Sequence, residues 1–320
     1  MIGSSMARVE VAIPCFNEVH TVGRVVRDVL RVLPEARVVV YDNGSTDGTA
    51  ETASAAGAEV RKVTRRGKGF VLQAIFEQST AEVVLMVDGD DTYDATDAPA
   101  LLEPLLRGDA DMTVGTRLRH ADLMSFRRFH RVGNQWIAGM VNAIFQTTFC
   151  DVLSGYRGFN RRCLEQIPLI TGGFEIETEL TLQALEMGLT VREVPIRYRS
   201  RPPGSTSKLQ TWHDGSRILM TMFLLLRDHR PMLVFGTGAA LLATLGLAVW
   251  VIGVQVNPGL RAGGVVCIAF GLTLGLAGLI VNTVNTRFRE VHSLLRRSQA
   301  RAAARHELPP EGVSVVNARD

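Results

Sequence analysis

Three short acidic segments, each following a run of β-forming residues, are the part of this sequence best equipped for chemistry. The first is Pro14-Cys15-Phe16-Asn17-Glu18, after Val9–Ile13. The second is Asp42-Asn43-Gly44-Ser45-Thr46-Asp47-Gly48-Thr49, after Arg37–Tyr41. The third is Asp88-Gly89-Asp90-Asp91, after the wholly apolar Val83–Val87. Ionised carboxylates only accept hydrogen bonds, which suits ribose hydroxyls and ring N–H groups. Two carboxylates one residue apart after a buried strand suit a divalent cation. Mg²⁺ or Mn²⁺ takes oxygen ligands and keeps positions open for phosphate oxygens. The second segment alone would read as an Asx-Gly turn. A calcium loop starting at Asp88 would need Gly at its sixth position and Glu at its twelfth. Tyr93 and Pro99 stand there. The glycine fingerprints of dinucleotide and P-loop sites are absent.

Further along the chain, basic and acidic groups alternate. Arg66-Gly67-Lys68-Gly69 opens a helical stretch, where glycine lets backbone approach an anion and the helix N-terminus favours one. Lys68 reads as a diphosphate contact or as a solvated basic turn. Arg117 ends a short strand, Asp111–Val114, in the run Val114-Gly115-Thr116-Arg117, and arginine grips phosphate bidentately. Over 126–145 the residues Phe126, Phe129, Gly133, Ile137, Met140 and Ile144 repeat at helical spacing, with Arg127, Arg131 and Asn134 opposite. A basic amphipathic helix of this kind suits a membrane surface, or packs as an ordinary helix. Arg128 adds to its charge. Asp151 leads into Ser154-Gly155-Tyr156-Arg157 and is a candidate catalytic carboxylate, with a helix cap or salt bridge as the alternative. Glu175 and Glu179 share a helix face, most simply a solvated first turn. The polar loop Arg199–Lys208 carries Arg201, Ser207 and Lys208.

These groups need elements to hold them. Strand and helix patterns alternate from Val9 to Val87, which predicts a parallel sheet with helices on both faces and ligands beyond the carboxyl ends of its strands. Two apolar runs, Met232–Val254 and Gly263–Asn285, carry no formal charge and are long enough to cross a hydrocarbon core of about 30 Å. Gln255–Ala262 is the expected turn. It holds one arginine, Arg261, whereas Arg217, Arg227 and Arg230 precede the runs and Arg287, Arg289, Arg296, Arg297, Arg301 and Arg305 follow them. That asymmetry puts both ends in the cytoplasm. Met1–Ala7 has no apolar core of a signal peptide. With 35 basic against 32 acidic residues, the net charge of +3 is too small for a nucleic-acid protein. Four cysteines without paired spacing exclude a disulfide scaffold and a zinc cage.

The ordered set of acidic segments resembles family 2 glycosyltransferases of the GT-A fold, a Rossmann-like α/β architecture. Gly115-Thr116-Arg117, the stretch Asp151–Phe159 and the terminal hairpin are similar to the polyprenyl-phosphate branch, which includes dolichol-phosphate mannose synthases. The resemblance implies that Pro14, Asn17 and Glu18 line a nucleotide pocket and that Asp42 meets the base or ribose. It implies that Asp88 and Asp90, with Gly89 between, meet metal and diphosphate. It also puts Arg117 near an acceptor phosphate, Asp151 near the sugar, and Arg201, Ser207 and Lys208 over donor phosphates. Asn43 departs from the pattern, since many relatives carry a second Asp there, and so does the pair Pro202-Pro203.

The expectation is therefore a metal-dependent, inverting transferase, with Mg²⁺ or Mn²⁺ as cofactor. It would move a sugar from a nucleoside diphosphate sugar to a polyprenyl phosphate, with Asp90 and Asp151 at the reacting centre and Arg117, Arg127, Arg128 and Arg131 on the acceptor. Transfer to a glycan hydroxyl is the second reading, and would need a general base. A non-catalytic membrane protein that binds nucleotide sugar or lipid is the third. The expected organisation is a catalytic domain over 8–210, a juxtamembrane helix over 211–231, two transmembrane helices over 232–286 and a basic cytoplasmic tail over 287–320. The protein would be multi-pass in the cell's inner membrane with the catalytic domain cytoplasmic. The sequence leaves the number of copies open, a homo-oligomer included.

Overall fold

The computed structural model describes residues 8–117, 128–169, 176–199, 201, 220, 223–224, 226–227 and 230–306. Arg127, Ser207, Lys208 and most of the helix expected over 211–231 lie outside them. The chain divides into two units, Met1–Thr221 and Met222–Asp320.

In the first unit, valine-rich segments form strands because both of their faces are covered. β1 (Val9–Cys15) sends Val9, Val11, Ile13 and Cys15 into one core, with Val83, Leu85 and Val87 around β4 (Val83–Met86). Ala12, Val84 and Met86 point into a second core on the other face. Helix α1 (Val22–Val32) closes the first core through Val22, Val25, Val26 and Val29, one stripe at helical spacing. Its expected start at Glu18 moves to Val22, because the preceding turn is taken up by bonds to neighbouring loops. β2 (Arg37–Asp42), α2 (Thr49–Ala55) and β3 (Glu59–Lys62) follow. α3 (Lys68–Gln78) covers the second core through Val71, Leu72, Ile75 and Phe76. Each side chain so buried contributes about 1.5–3 kcal/mol, so the strand ends that carry the acidic loops are firmly placed.

The remaining elements are α4 (Ala98–Leu106), β5 (Met112–Thr116), α5 (Arg128–Phe145), β6 (Arg157–Asn160), α6 (Arg161–Gln166), α7 (Ile176–Glu186) and β7 (Val191–Pro195). The sheet has seven strands in the order β3-β2-β1-β4-β6-β5-β7. All pairs are parallel except those of β6, which runs antiparallel to β4 and β5. The alternating pattern did not reveal that reversal, and it matters for the site. Arg157 pairs with Met86, so the segment entering β6 arrives where β4 leaves the sheet. Gly155, just before β6, therefore meets Asp88.

Arg157 braces that segment. It is fully buried and donates to the Ser154 carbonyl at 2.8 Å, the Val152 carbonyl at 2.7 Å and Thr181 Oγ1 at 2.9 Å. Burial lowers its pKa to about 10, against the pull of Glu177 and Asp151.

In the second unit, α8 (Pro231–Val256) and α9 (Pro258–His306) form an antiparallel pair. The expected eight-residue turn contracts to Asn257, whose side chain accepts from the Gly259 N–H at 2.7 Å while Pro258 opens α9. Gly246 and Gly264 let the backbones touch: a Cβ on Gly246 would lie 2.8 Å from the Gly264 carbonyl oxygen. Such small-residue contacts are how helices pack without a hydrophobic drive between them. Both helices are long and apolar enough to cross a membrane. Little of the apolar surface of either helix is buried within the chain. α9 also continues unbroken to His306, into the stretch expected as a tail.

Replacing Arg157 with Met should leave the Ser154 and Val152 carbonyls buried and unpaired, at about 1–3 kcal/mol each. A thermal melt of the detergent-solubilised chain should show the first unit unfolding several degrees earlier. An unchanged melt would mean that Arg157 does not brace the loop.

Candidate active site

The loops after β1 and β2 are stitched together by their own polar groups. Asn17 takes a left-handed conformation (φ +53°), donates its N–H to Ser45 Oγ at 2.9 Å and accepts from the Thr46 N–H at 2.9 Å. The Glu18 N–H donates to Thr49 Oγ1 at 2.8 Å, and Asp47 accepts from the Val19 N–H at 3.1 Å. Burial pushes the Asp47 carboxyl upward, but Thr49 and the surrounding N–H groups outweigh it and hold it below the usual range. Asp42 is buried and accepts from the Ser45 N–H at 3.2 Å.

Asn43 does what an aspartate could not. Its amide nitrogen donates to the carbonyls of Val63 at 3.2 Å and Arg65 at 2.7 Å, while its oxygen accepts from the Gly67 N–H at 2.8 Å. It thus fixes the segment that delivers Lys68 to the first turn of α3. The departure at Asn43 concerns loop architecture, and its side chain faces the neighbouring loop.

The acidic segment after β4 is balanced by two protein cations. Lys68 Nζ lies 2.9 Å from Asp88 Oδ1 and 2.6 Å from Glu177 Oε1. An Arg201 guanidinium nitrogen lies 2.5 Å from Asp90 Oδ2. Asp90 Oδ1 accepts from the Thr92 hydroxyl at 2.6 Å. Gly89 is pressed against Cys15, leaving no space for a Cβ, and its carbonyl accepts from the Thr21 hydroxyl at 2.7 Å. Asp91 pairs instead with Arg24 at 3.1 Å. Burial would lower the Lys68 pKa, but Asp88 and Glu177 together raise it above the ordinary value. Asp90 is pushed upward by burial and then by the charge of Asp88, despite Arg201 and Thr92.

Three carboxylates here face two cations, leaving one negative charge in excess. The donor set suits a divalent cation with Asp88 and Asp90 as protein ligands. Among the described residues no group of three His, Cys, Asp or Glu converges as a closed cage, so the other ligands would come from substrate and water.

Beside this pair lies Asp151, fully buried. It accepts from the Arg117 N–H at 3.1 Å, Arg117 Nε at 2.8 Å, an Arg117 terminal nitrogen at 2.9 Å, Asn134 Nδ2 at 3.0 Å and the Leu153 N–H at 3.2 Å. A carboxylate offers about four lone-pair sites, so five donors saturate it. Burial raises its pKa, and Arg117 with the other donors more than reverses that. Glu193, itself pushed up by burial, accepts from the Cys150 and Asp151 N–H groups at 2.8 Å each. Gly155 completes the junction: a Cβ there would lie 2.5 Å from Asp88 Oδ2 and 3.1 Å from Lys68 Nζ. Its N–H donates to the Tyr93 hydroxyl at 3.0 Å.

Comparison with known proteins gives this site a lineage. The model of Glycosyl transferase family 2 matches residues 10–167. The chain is 36% identical over 285 residues to glycosyltransferase AglJ of Haloferax volcanii, covering 87% of this chain and 93% of that protein. The chain belongs to glycosyltransferase family 2. A dolichyl-phosphate hexose transferase of the same organism is 30% identical over 204 residues, 63% of this chain and 87% of that one. Crystal structures of Mycobacterium tuberculosis glucosyl-3-phosphoglycerate synthase share the fold. One, in complex with Mn²⁺, UDP and phosphoglyceric acid, has a TM-score of 0.56 at 22% identity, covering 71% of this chain and 81% of that one.

In this family 2 glycosyltransferase the expected residues fall into two groups. Lys68, Asp88, Gly89, Asp90 and Arg201 converge, and Asp151 joins Arg117. Pro14, Asn17, Glu18 and Asp42 sit at the ends of β1 and β2 on the same edge of the sheet. Arg128 and Arg131 lie in the first turn of α5. Of the apolar face expected along α5, Ile137 is buried while Gly133, Met140 and Ile144 are half-buried; Asn134, Ala138 and Val141 complete the buried stripe, and Trp136 is exposed. Asn134 is drawn inward by Asp151. Glu177 was not anticipated: the helix turns it inward, while Glu179 bonds Gln183 at 2.7 Å. Its signal was its place between two more conspicuous acids. Tyr93 and Tyr198, whose rings meet at 5.4 Å, were likewise missed.

Asn43→Asp installs the acid that the family resemblance led us to expect, yet it should impair this chain. It replaces two donated hydrogen bonds with charge–carbonyl repulsion and frees the Lys68 segment. Turnover should fall about tenfold or more with only a modest change in melting temperature, read by a donor-consumption assay beside a melt. Unchanged or improved turnover would contradict the loop-fixing role.

Proposed function

We propose that this enzyme transfers a sugar from a nucleoside diphosphate sugar to the phosphate of a polyprenyl phosphate. The reaction would take place at the cytoplasmic face of the membrane that α8 and α9 cross. The observation that carries the choice of acceptor is the saturation of Asp151. A hydroxyl acceptor must lose a proton as it attacks, and a positioned base typically contributes 10²- to 10⁴-fold. Asp151 has no lone pair left to take that proton. The other acids near it are engaged too: Glu193 by the Cys150 and Asp151 N–H groups, Asp88 and Glu177 by Lys68, Asp90 by Arg201 and Thr92, Asp94 by Arg199 and Thr96. A phosphomonoester needs no base, because its second pKa is near 6 and its oxygen is already anionic at neutral pH. The kinship with a dolichyl-phosphate hexose transferase, the apolar hairpin and the arginine asymmetry around it support the same acceptor.

In this reading Pro14, Asn17, Glu18 and Asp42 hold the nucleoside. Lys68 and Arg201 face the diphosphate. Arg117, held rigid by Asp151, and Arg128 and Arg131 of α5 draw the lipid phosphate; Arg127 for the acceptor, and Ser207 and Lys208 for the donor phosphates, are proposed from the sequence alone. Asp88 and Asp90 would hold Mg²⁺ or Mn²⁺, which when bound supplies positive charge against the departing diphosphate. One bond forms between a lipid phosphate oxygen and the anomeric carbon. The bond from that carbon to the diphosphate breaks on the opposite face, its electron pair leaving with the diphosphate. The anomeric centre inverts and no proton has to move. Asp90 acts through charge and Asp151 as a positioning residue.

Removing divalent cations with EDTA should abolish turnover, and Mg²⁺ or Mn²⁺ should restore it. Full activity in EDTA would sink the assignment of Asp88 and Asp90. Asp151→Asn and Arg117→Ala should each chiefly raise KM for the lipid, and the double variant should cost little more than the worse single one, because the two act as a unit. The pH–rate profile should keep its shape. If Asp151→Asn alone removes the acidic limb and lowers kcat by 10² or more while Arg117→Ala spares the lipid KM, the acceptor is a hydroxyl.

A further inference from the structure

Arg197, Tyr198, Arg199 and Arg201 lie against residues 90–97 as a strap, with the three arginines on Asp97, Asp94 and Asp90. Arg197 pairs with Asp97 at 2.7 Å, Arg199 with Asp94, and Arg201 with Asp90 at 2.5 Å. Between them Tyr198 bridges backbone-to-backbone with Tyr93, and the Arg199 N–H donates to the Thr92 carbonyl at 2.8 Å. The first two rungs use acids outside the Asp88–Asp90 pair, so nothing that enters the site needs to break them. The third uses an oxygen of Asp90 itself. A guanidinium and a divalent cation cannot both sit against one carboxylate oxygen without strong like-charge repulsion.

We infer that Arg201 is a resident competitor for the divalent cation: it holds Asp90 in the donor-free enzyme and yields it when metal and diphosphate arrive together. This rests on the metal reading given above. The chemistry favours exchange over simple exclusion. A diphosphate brings several negative charges, so an arginine released from Asp90 has a new anionic partner within the same site, while its neighbours Arg197 and Arg199 keep the strap anchored. Metal alone must displace Arg201 without the diphosphate's charge to compensate it. Metal and diphosphate should therefore bind cooperatively, and by linkage each should raise the other's affinity by the same factor. Lys68 poses no such barrier, because Glu177 can keep it when Asp88 turns to the metal.

The test is direct Mn²⁺ binding to the full chain in detergent, with and without inorganic pyrophosphate, read as the excess of radioactive Mn²⁺ on the protein side of an equilibrium dialysis, so that Mn²⁺ complexed by pyrophosphate in solution cancels between the two sides. The wild type should bind Mn²⁺ weakly alone and more tightly with pyrophosphate, by a factor within the usual 5- to 150-fold range of coupling. Arg201→Gln should bind Mn²⁺ alone about tenfold more tightly and gain less from pyrophosphate. Arg201→Lys, which keeps the charge on a flexible stem, should fall between them and serves if the Gln variant does not fold. Arg199→Gln removes a rung on Asp94 and should leave Mn²⁺ affinity as it is. If the wild type binds Mn²⁺ and the Arg201 variants bind it no more tightly, the competitor role is overturned. If the wild type binds no Mn²⁺ under either condition, the metal reading falls and takes this inference with it.

Discussion

Carboxylates gathered at the edge of a sheet, and then buried, stay charged only if cations are set beside them. That constraint organises this site. Asp88, Asp90, Glu177 and Asp151 are matched by Lys68, Arg201 and Arg117 at distances of 2.5–2.9 Å. Each cation comes from a different element: the start of α3, the strap after β7, and the end of β5. The elements are held by the two apolar cores on either face of the sheet, so the hydrophobic packing fixes the charges and the charges fix the loops. Arg157 extends the same logic into the interior, where its donors hold the carbonyls of the loop that carries Asp151 and Gly155.

The balance is incomplete on one side and complete on the other, and that difference divides the labour. Around Asp88 and Asp90 there is negative charge to spare and a cation that can be exchanged. Around Asp151 every lone pair is filled and the guanidinium of Arg117 is locked by two of its own N–H groups. The first arrangement suits a site that must accept and release charge with each turnover. The second suits a fixed platform for an anion. In the proposed reading the first half serves the donor diphosphate and the second the acceptor phosphate.

Much of this was legible in the sequence, and for a local reason. The acidic segments follow apolar runs directly, so strand, turn and charge are written side by side, as at Val83–Asp91. What was not legible depends on partners distant along the chain. Four residues, Arg157–Asn160, do not declare whether they pair parallel or antiparallel; their direction is set by β4 and β5. Asn43 looked like a lost acid until its bonds to Val63, Arg65 and Gly67 were seen. Asp151 read as a candidate catalytic carboxylate or a salt bridge, and its partners stayed hidden because Arg117 and Asn134 lie 34 and 17 residues away. The hairpin was evident from composition, whereas the single-residue turn at Asn257 follows from glycine contacts between two helices that no periodicity announces.

The central claim is that the acceptor brings its own anionic oxygen. It is tested most directly by incubating the purified chain, Mg²⁺ or Mn²⁺ and a labelled nucleoside diphosphate sugar with two lipids that differ only in the phosphate, a polyprenyl phosphate and the matching polyprenol. The account predicts label in the lipid fraction with the phosphate alone, in a mild-acid-labile product whose anomeric configuration is opposite to that of the donor. Transfer to the polyprenol, or transfer only when a saccharide hydroxyl is supplied, would contradict it.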